Sequence, residues 1–204
     1  MSRILAVDTT GDFGSIALVE DGRVVQEVEL HSPEGFGHVL FDEIKRLGID
    51  LNRIDVFAAA SGPGSFTGVR VGLTAVKGLA EATGRKAVAV SNLQALASFG
   101  TRSLRATVID ARRGEIYGAV YGSNLCIVQD EVVIAYPAWR AGLPPGDIEF
   151  ITAGYPVESE FVTTAPRALA GAIGKIAAHT TPKDPAEIDA NYVRRSDAEL
   201  LWKG

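Results

Sequence analysis

Cysteine is nearly absent: Cys126 is the single one in 204 residues. That excludes an intrachain disulfide and a thiolate metal cluster, and in its apolar segment the residue is expected to be a small buried hydrophobe. Histidine is sparse as well. His31, His38 and His179 are the three present, and no two have the one-turn spacing that puts two imidazoles on one metal from a single helix. No apolar run approaches the ~20 residues a bilayer span needs, and Met1-Ser2-Arg3-Ile4-Leu5 passes straight into a strand pattern. The chain is therefore expected to be cytoplasmic, unprocessed and without membrane contact. Basic excess is lacking too. The net charge of −5 argues against a free-standing nucleic-acid binder, because phosphate contacts need clustered Lys and Arg; contact through a basic partner stays open. Ser65 lacks the Gly-x-Ser-x-Gly elbow of serine hydrolases.

What is present is an ordinary globular composition, 47% hydrophobic and 22% charged, long enough for one large or two small domains with a core. Ile4 to Asp8, Ser15 to Val19 and Val24 to Leu30 read as three consecutive strands, the last two joined by an Asp21-Gly22 hairpin. His38 to Leu47 carries Leu40, Ile44 and Leu47 at helical spacing. Val56 to Ala60 is a buried strand, Ala87 to Val90 another, and Ser91-Asn92-Leu93-Gln94 is a capping box opening a helix through Phe99.

Between those two strands lies Gly62-Pro63-Gly64-Ser65-Phe66-Thr67-Gly68-Val69-Arg70-Val71-Gly72, a tight loop opening a helix over Thr67 to Thr83. Two readings of the loop stand side by side. It is a glycine-rich turn capped by Thr67 or Ser65, or its amides hold an anion; Gly68-Val69-Arg70 stands where a Walker loop needs Gly-Lys-Ser/Thr. The helix itself carries Gly68, Gly72, Ala75, Gly78 and Ala82 on one stripe and Val69, Leu73, Val76 and Ala80 on another. Three glycines inside a helix cost roughly 1 kcal/mol each against alanine, which predicts close approach of another backbone. The helix is expected to be covered on two sides, by its own sheet and by another helix.

The second half echoes the first. Val7-Asp8 followed by Ser15 to Val19 recurs as Ile109-Asp110 followed by Tyr117 to Tyr121 at an offset of 102, Ser123-Asn124 takes the place of Asp21-Gly22, and Cys126 to Ile134 supplies a third strand. Half-chain repetition predicts duplication, with a first domain over 1–100 and a second, less regular one over 101–204. Glu149 to Thr152 reads as a strand and Pro166 to Ala178 as a helix with Thr164 or Ala165 near its cap. Asp110 and Glu115 flanking Arg112 and Arg113 read as a reactive cluster or a salt-bridged strand end.

Two α/β units of this kind resemble the ribonuclease H-like halves of the actin, hexokinase and Hsp70 (ASKHA) superfamily. There the first hairpins grip nucleotide phosphates, which implies a candidate anion or nucleotide site at Asp8, Thr9, Thr10, Gly64 and Ser65. The second turn carries bulky side chains where a phosphate would need backbone approach.

The stretch Gly62 to Gly72 has the Gly-Pro-Gly-Ser-Phe-Thr-Gly-[Val/Leu]-Arg-[Val/Ile]-Gly form of the bacterial TsaB (YeaZ) family. With Ile4 to Thr9, with Asp110-Ala111-Arg112-Arg113-Gly114-Glu115-Ile116-Tyr117 and with Tyr192-Val193-Arg194, the chain resembles that family in order along nearly its whole length. The motif residues are Gly62, Pro63, Gly64, Ser65, Phe66, Thr67, Gly68, Asp110, Arg112, Glu115 and Tyr117; Ala190 stands where the family usually has proline.

The resemblance implies a non-catalytic paralogue of the enzyme TsaD, with no catalytic residues, metal or cofactor of its own. The family serves the N6-threonylcarbamoyl modification of adenosine 37 in tRNAs that read ANN codons. It implies a heterodimer with TsaD through first-domain helices, joined by the ATPase TsaE, a homodimer when alone, and tRNA met only through the complex. Carried onto this chain, the interface is expected at His38, Phe41, Lys45, Thr67, Arg70, Val71, Gly72, Ala75, Gly78 and Leu79. A stand-alone ASKHA-type nucleotide-dependent kinase or M22-like peptidase is the alternative, and it needs a nucleotide or metal in a cleft between the units.

Overall fold

The computed structural model describes residues 2–194; Arg195, Ser196 and Asp197, which follow Tyr192-Val193-Arg194 in the tail, lie outside the described residues. Two five-stranded sheets carry the fold. The first holds β1 (Arg3–Asp8), β2 (Gly14–Glu20), β3 (Arg23–Leu30), β4 (Val56–Ala60) and β5 (Lys86–Val90) in the order β3-β2-β1-β4-β5. Its β1-β2-β3 part is antiparallel and β1, β4 and β5 run parallel. Asp21 (φ 45°) and Gly22 (φ 75°) make the two-residue turn between β2 and β3, as the dipeptide predicts.

The second sheet holds β6 (Leu104–Asp110), β7 (Glu115–Gly122), β8 (Ile127–Ala135), β9 (Ile148–Thr152) and β10 (Val162–Thr164) in the order β10-β9-β6-β7-β8. Read from β8, this is the strand order of the first sheet with the same pattern of parallel and antiparallel pairs, the outcome the repeat predicts. The hairpins differ by one residue: Val7 pairs with Ile16, whereas Ile109 pairs with Tyr117.

Helix α1 (Leu40–Arg46) and the long α2 (Phe66–Thr83) precede β4 and β5 respectively, and α3 (Asn92–Ala97) follows β5, ending short of the expected Phe99. Val69, Leu73, Val76 and Ala80 of α2 are buried with Leu5, Val7, Ile16 and Phe57 in one core on a single face of the first sheet. The opposite face is closed by α5 (Ala170–Ala177): a Cβ at Gly174 would lie 2.5 Å from Val19 Cγ2 and 3.3 Å from Ala6 Cβ. Burial on both faces is why β1 and β4 read as unbroken apolar runs.

The start of α5 is held from outside its own segment. Ser15 Oγ on β2 accepts the N–H groups of Leu169 (3.1 Å) and Ala170 (2.9 Å), and Glu27 Oε1 on β3 accepts that of Gly171 (2.7 Å). Two expectations change here. The helix starts at Ala170, not Pro166, because its cap is a tertiary one. Among the described residues the compact units are 2–95 with Pro166–Ala190, and Leu96–Ala165 with 191–194, so the division 1–100 and 101–204 assigns α5 to the wrong half.

Two short elements of the second unit carry too little sequence pattern to be expected, α4 (Tyr136–Ala141) and the three-residue β10. Trp139 of α4 is buried with Val108, Ile116, Val120 and Phe150 to form that unit's core. Cys126 is exposed, against expectation, because it follows the hairpin turn at the entry to edge strand β8. The tail docks: Ile188 is buried and Ala190 packs on the first core, and beyond them Asn191 Nδ2 donates to Glu131 of β8. No helix among the described residues is long and apolar enough to cross a membrane.

Candidate protein interface

The exit of β1 and the loop before α2 are bound into one another. Asp8 Oδ1 accepts the Thr10 N–H (2.9 Å) and hydroxyl (2.7 Å). Thr10 Oγ1 in turn accepts Asn92 Nδ2 (2.7 Å), and Asn92 Oδ1 accepts the Gly62 N–H (3.0 Å), while the Asn92 N–H donates to Gly62 O (2.8 Å). Ser65 N–H donates to Thr10 O at 2.7 Å, and Thr9 Oγ1 donates to Gly68 O at 2.7 Å. Ser65 is the N-cap of α2, its hydroxyl accepting Gly68 N–H at 3.3 Å.

Asp8, Thr9, Thr10 and Asn92 are buried. Desolvation pushes the Asp8 carboxyl above its ordinary range, opposed by the hydrogen bonds from Thr10 and Asn92. Of the groups expected at an anion, Asp8 and Ser65 N–H are thus bound to Thr10, and the Thr9 and Ser65 hydroxyls to Gly68; a Cβ at Gly64 would lie 2.6 Å from Thr10 O.

That latch accounts for two of the five residues of the small-residue stripe. A Cβ at Gly68 would meet Thr9 O at 2.0 Å and one at Gly72 would meet Thr9 Oγ1 at 2.7 Å. The close backbone approach expected from the glycines is real, but the neighbour is the β1 exit and not a second helix. Gly72 is buried there and does not reach the surface. A Cβ at Gly78, by contrast, would meet nothing within 4 Å, and Ala82 is exposed.

Beside the stripe runs an apolar groove of about 720 Å³ between the α1 region and α2, lined by Gly37, Leu40, Phe41, Phe66, Thr67, Arg70, Val71, Thr74, Ala75, Gly78 and Leu79. Phe41 is 55% and Phe66 46% exposed, although both are large hydrophobes. The Arg70 guanidinium lies 3.8 Å over the Phe66 ring, so its charge caps one groove wall. Seven expected interface positions meet here: Phe41, Thr67, Arg70, Val71, Ala75, Gly78 and Leu79. His38 lies instead in an adjoining polar cleft with Thr9, Ser65 and Thr67, and Lys45 lies on the surface of α1 among Asp42, Glu43 and Arg46. Gly37, Leu40, Phe66 and Thr74 were not expected in the groove. Helical periodicity places Leu40 on an apolar face and Thr74 on a polar strip of its helix with Arg70, Lys77 and Glu81, and only the approach of α1 to α2 gives them a common wall.

In the second unit Asp110, Arg112, Glu115 and Tyr117 gather at the β6–β7 turn, where the Arg194 guanidinium donates to Glu115 and to Ala111 O (3.0 Å) and lies 5.7 Å from the Tyr117 ring. The acidic pair is thus part of an ion-paired strand end. Elsewhere in this unit Glu149 accepts the N–H groups of Thr101 (2.6 Å) and Arg102 (2.9 Å) and the Thr163 hydroxyl (2.5 Å). Burial alone would raise its carboxyl, but these bonds together hold it below the ordinary value. Among the described residues no three His, Cys, Asp or Glu side chains are grouped to hold a metal.

The family model described as TsaD, tRNA N6-adenosine threonylcarbamoyltransferase, matches residues 28–149. The tRNA threonylcarbamoyladenosine biosynthesis protein TsaB of Escherichia coli is 40% identical over 126 residues, which cover 58% of this chain and 54% of that protein. The Bacillus subtilis protein of the same name is 37% identical over 127 residues, with coverage of 58% and 54%. The chain spans about half the length of the curated relatives it matches. Among solved structures, YeaZ from Pseudomonas aeruginosa aligns with a TM-score of 0.76 at 26% identity, over 94% of this chain and all of that one. With two ribonuclease H-like sheets, the glycine-rich loop latched to β1 and these likenesses together, the chain belongs to the TsaD family of tRNA N6-adenosine threonylcarbamoyltransferases, on its TsaB/YeaZ side.

Proposed function

We propose that this chain is a non-catalytic subunit that supports a TsaD-type transferase in the N6-threonylcarbamoyladenosine modification of adenosine 37 in ANN-decoding tRNAs. The groove between α1 and α2 is the surface through which it docks on that enzyme. The carrying observation is the groove itself: exposed Phe41 and Phe66 flank an apolar floor formed by Leu40, Val71, Ala75 and Leu79. Aromatic anchors around an apolar centre are what a protein interface requires. The relatives' name as threonylcarbamoyladenosine biosynthesis proteins supports the pathway. The engagement of Asp8, Thr10 and Ser65 with one another and of Thr9 with Gly68 favours an accessory role over nucleotide chemistry in this chain.

In this reading the ATPase TsaE joins the assembly, tRNA is met through the complex, and the same groove pairs two copies of the chain when the transferase is absent. The test is reconstitution of tRNA modification in the cytoplasmic setting the family implies, with TsaD, TsaE and threonylcarbamoyl-adenylate supplied. Modification that requires this chain is the expected result. Full modification without it, or ATP turnover by the isolated chain with magnesium, would overturn the assignment.

A further inference from the structure

The β6–β7 turn holds its backbone in an uncommon way. Arg112 (φ 63°), Arg113 (φ 58°) and Gly114 (φ 78°) are consecutive left-handed residues. Such a conformation costs a non-glycine residue roughly 1 kcal/mol or more, and glycine or asparagine would avoid most of that cost. The turn is nevertheless well determined. Arg112 N–H donates to Asp110 Oδ1 (2.7 Å), Glu115 N–H to Arg112 O (3.1 Å) and Ala111 N–H to Glu115 O (3.0 Å). Arg194 braces it from the tail through Ala111 O and the Glu115 carboxylate.

Asp110 Oδ1 and Glu115 hold bonds that shape the turn, and Asp110 Oδ2 also pairs with the Arg112 guanidinium at 3.9 Å; Arg112 and Arg113 are nonetheless exposed, the Arg112 side chain by 73%. With Arg194, three guanidinium groups face two carboxylates in a chain whose net charge is −5. Between Asp110 and Glu115 the one apolar side chain, Ala111, is buried, so the turn presents charged groups and backbone to whatever meets it. Guanidinium forks match phosphate oxygens in pairs.

We propose that the β6–β7 turn, braced by Arg194, is a phosphate contact for an RNA strand, with Arg112 and Arg113 meeting the backbone. This rests on the reading that the chain works in a tRNA-modifying assembly, and it assigns the chain a direct contact within that assembly.

The test uses the full chain, alone and mixed with the transferase, and an unmodified ANN-decoding tRNA transcript titrated at several salt concentrations. Arg112→Asn/Arg113→Asn removes both guanidinium groups and keeps a residue type that tolerates the left-handed backbone, and thermal unfolding checks the fold. The expected result is weaker tRNA binding and a slope of log K against log salt that is shallower by roughly one to two, with the two proteins associating as before on gel filtration. Unchanged affinity and slope would overturn the proposal, as would loss of protein association alone, which assigns the turn to an acidic protein surface. Should the wild-type proteins fail to associate, the docking reading falls separately. The turn is then judged on the chain alone, where absent or variant-independent tRNA binding overturns it.

Discussion

Asp8 and Asp110 end the first strand of each sheet, and each accepts through Oδ1 the N–H of the residue two positions on, Thr10 at 2.9 Å and Arg112 at 2.7 Å. The hydrogen bond is the same and the surroundings are opposite. Asp8 is 2% exposed, whereas the Asp110 side chain is 49% exposed.

Burial gives Asp8 a pH signature. Its carboxyl is raised in the folded state above the ordinary 3.8, so the folded chain holds this proton to higher pH than the unfolded one. Stability from this group is present below the unfolded value and is lost as pH rises through the raised folded value. Asp8→Asn keeps the acceptor for Thr10 and removes the ionisation. Urea unfolding between pH 3.5 and 8 should show the variant gaining on the wild type as pH rises, then running parallel to it. A pH-independent difference would refute the assignment.

Glu149 behaves in the opposite sense. Its folded value is held below 4.5 by four donated bonds from Thr163, Arg102 and Thr101 that outweigh burial. It contributes stability above the unfolded value and loses it as pH falls through the lowered folded one. Glu149→Gln sets an amide N–H₂ against those donors and should cost about 1 to 3 kcal/mol near neutrality. The cost should shrink in acid, as read from denaturant midpoints across pH.

Gly72 and Thr9 should prove energetically coupled. Gly72→Ala puts a methyl 2.7 Å from Thr9 Oγ1 and is expected to destabilise by about 1 to 3 kcal/mol. Thr9→Ala removes that oxygen together with its bond to Gly68 O. The double variant should be less unstable than the two losses summed by about 0.5 kcal/mol or more; strict additivity would mean that the contact carries no strain.

Gly78 separates fold from docking. It sits in the middle of α2 with open space around it and lines the groove. Gly78→Leu should raise helix stability by up to about 1 kcal/mol while crowding the groove. A variant with an equal or higher Tm that no longer co-purifies with the transferase is the expected pair of results; undiminished co-purification would move the interface elsewhere.

Much of this was legible in the residues themselves. Strands β1 to β3 with their Asp21-Gly22 turn, the α2 core stripe of Val69, Leu73, Val76 and Ala80, and the repeat centred on Asp8 and Asp110 all follow from local pattern. Periodicity and turn chemistry act over a few residues and leave their mark there. The motif likeness also singled out seven residues that line one groove. Other features depend on partners distant in the chain. The cap of α5 is Ser15, 154 residues before Leu169, and no local signal near Pro166 reveals it. The glycines of α2 were readable as a demand for close approach, but not which neighbour answers which glycine: Thr9 answers Gly68 and Gly72, and nothing answers Gly78.

By itself, then, the sequence determined the strand and helix pattern, the duplication and the family, because each is written in neighbouring residues. Only the tertiary structure decided that α5 closes the first sheet, that Asp8 to Thr10 and the glycine-rich loop bind one another, and that Phe41 and Phe66 stand on either side of a common groove. Those outcomes depend on which surfaces meet once hydrophobic burial has brought distant segments together.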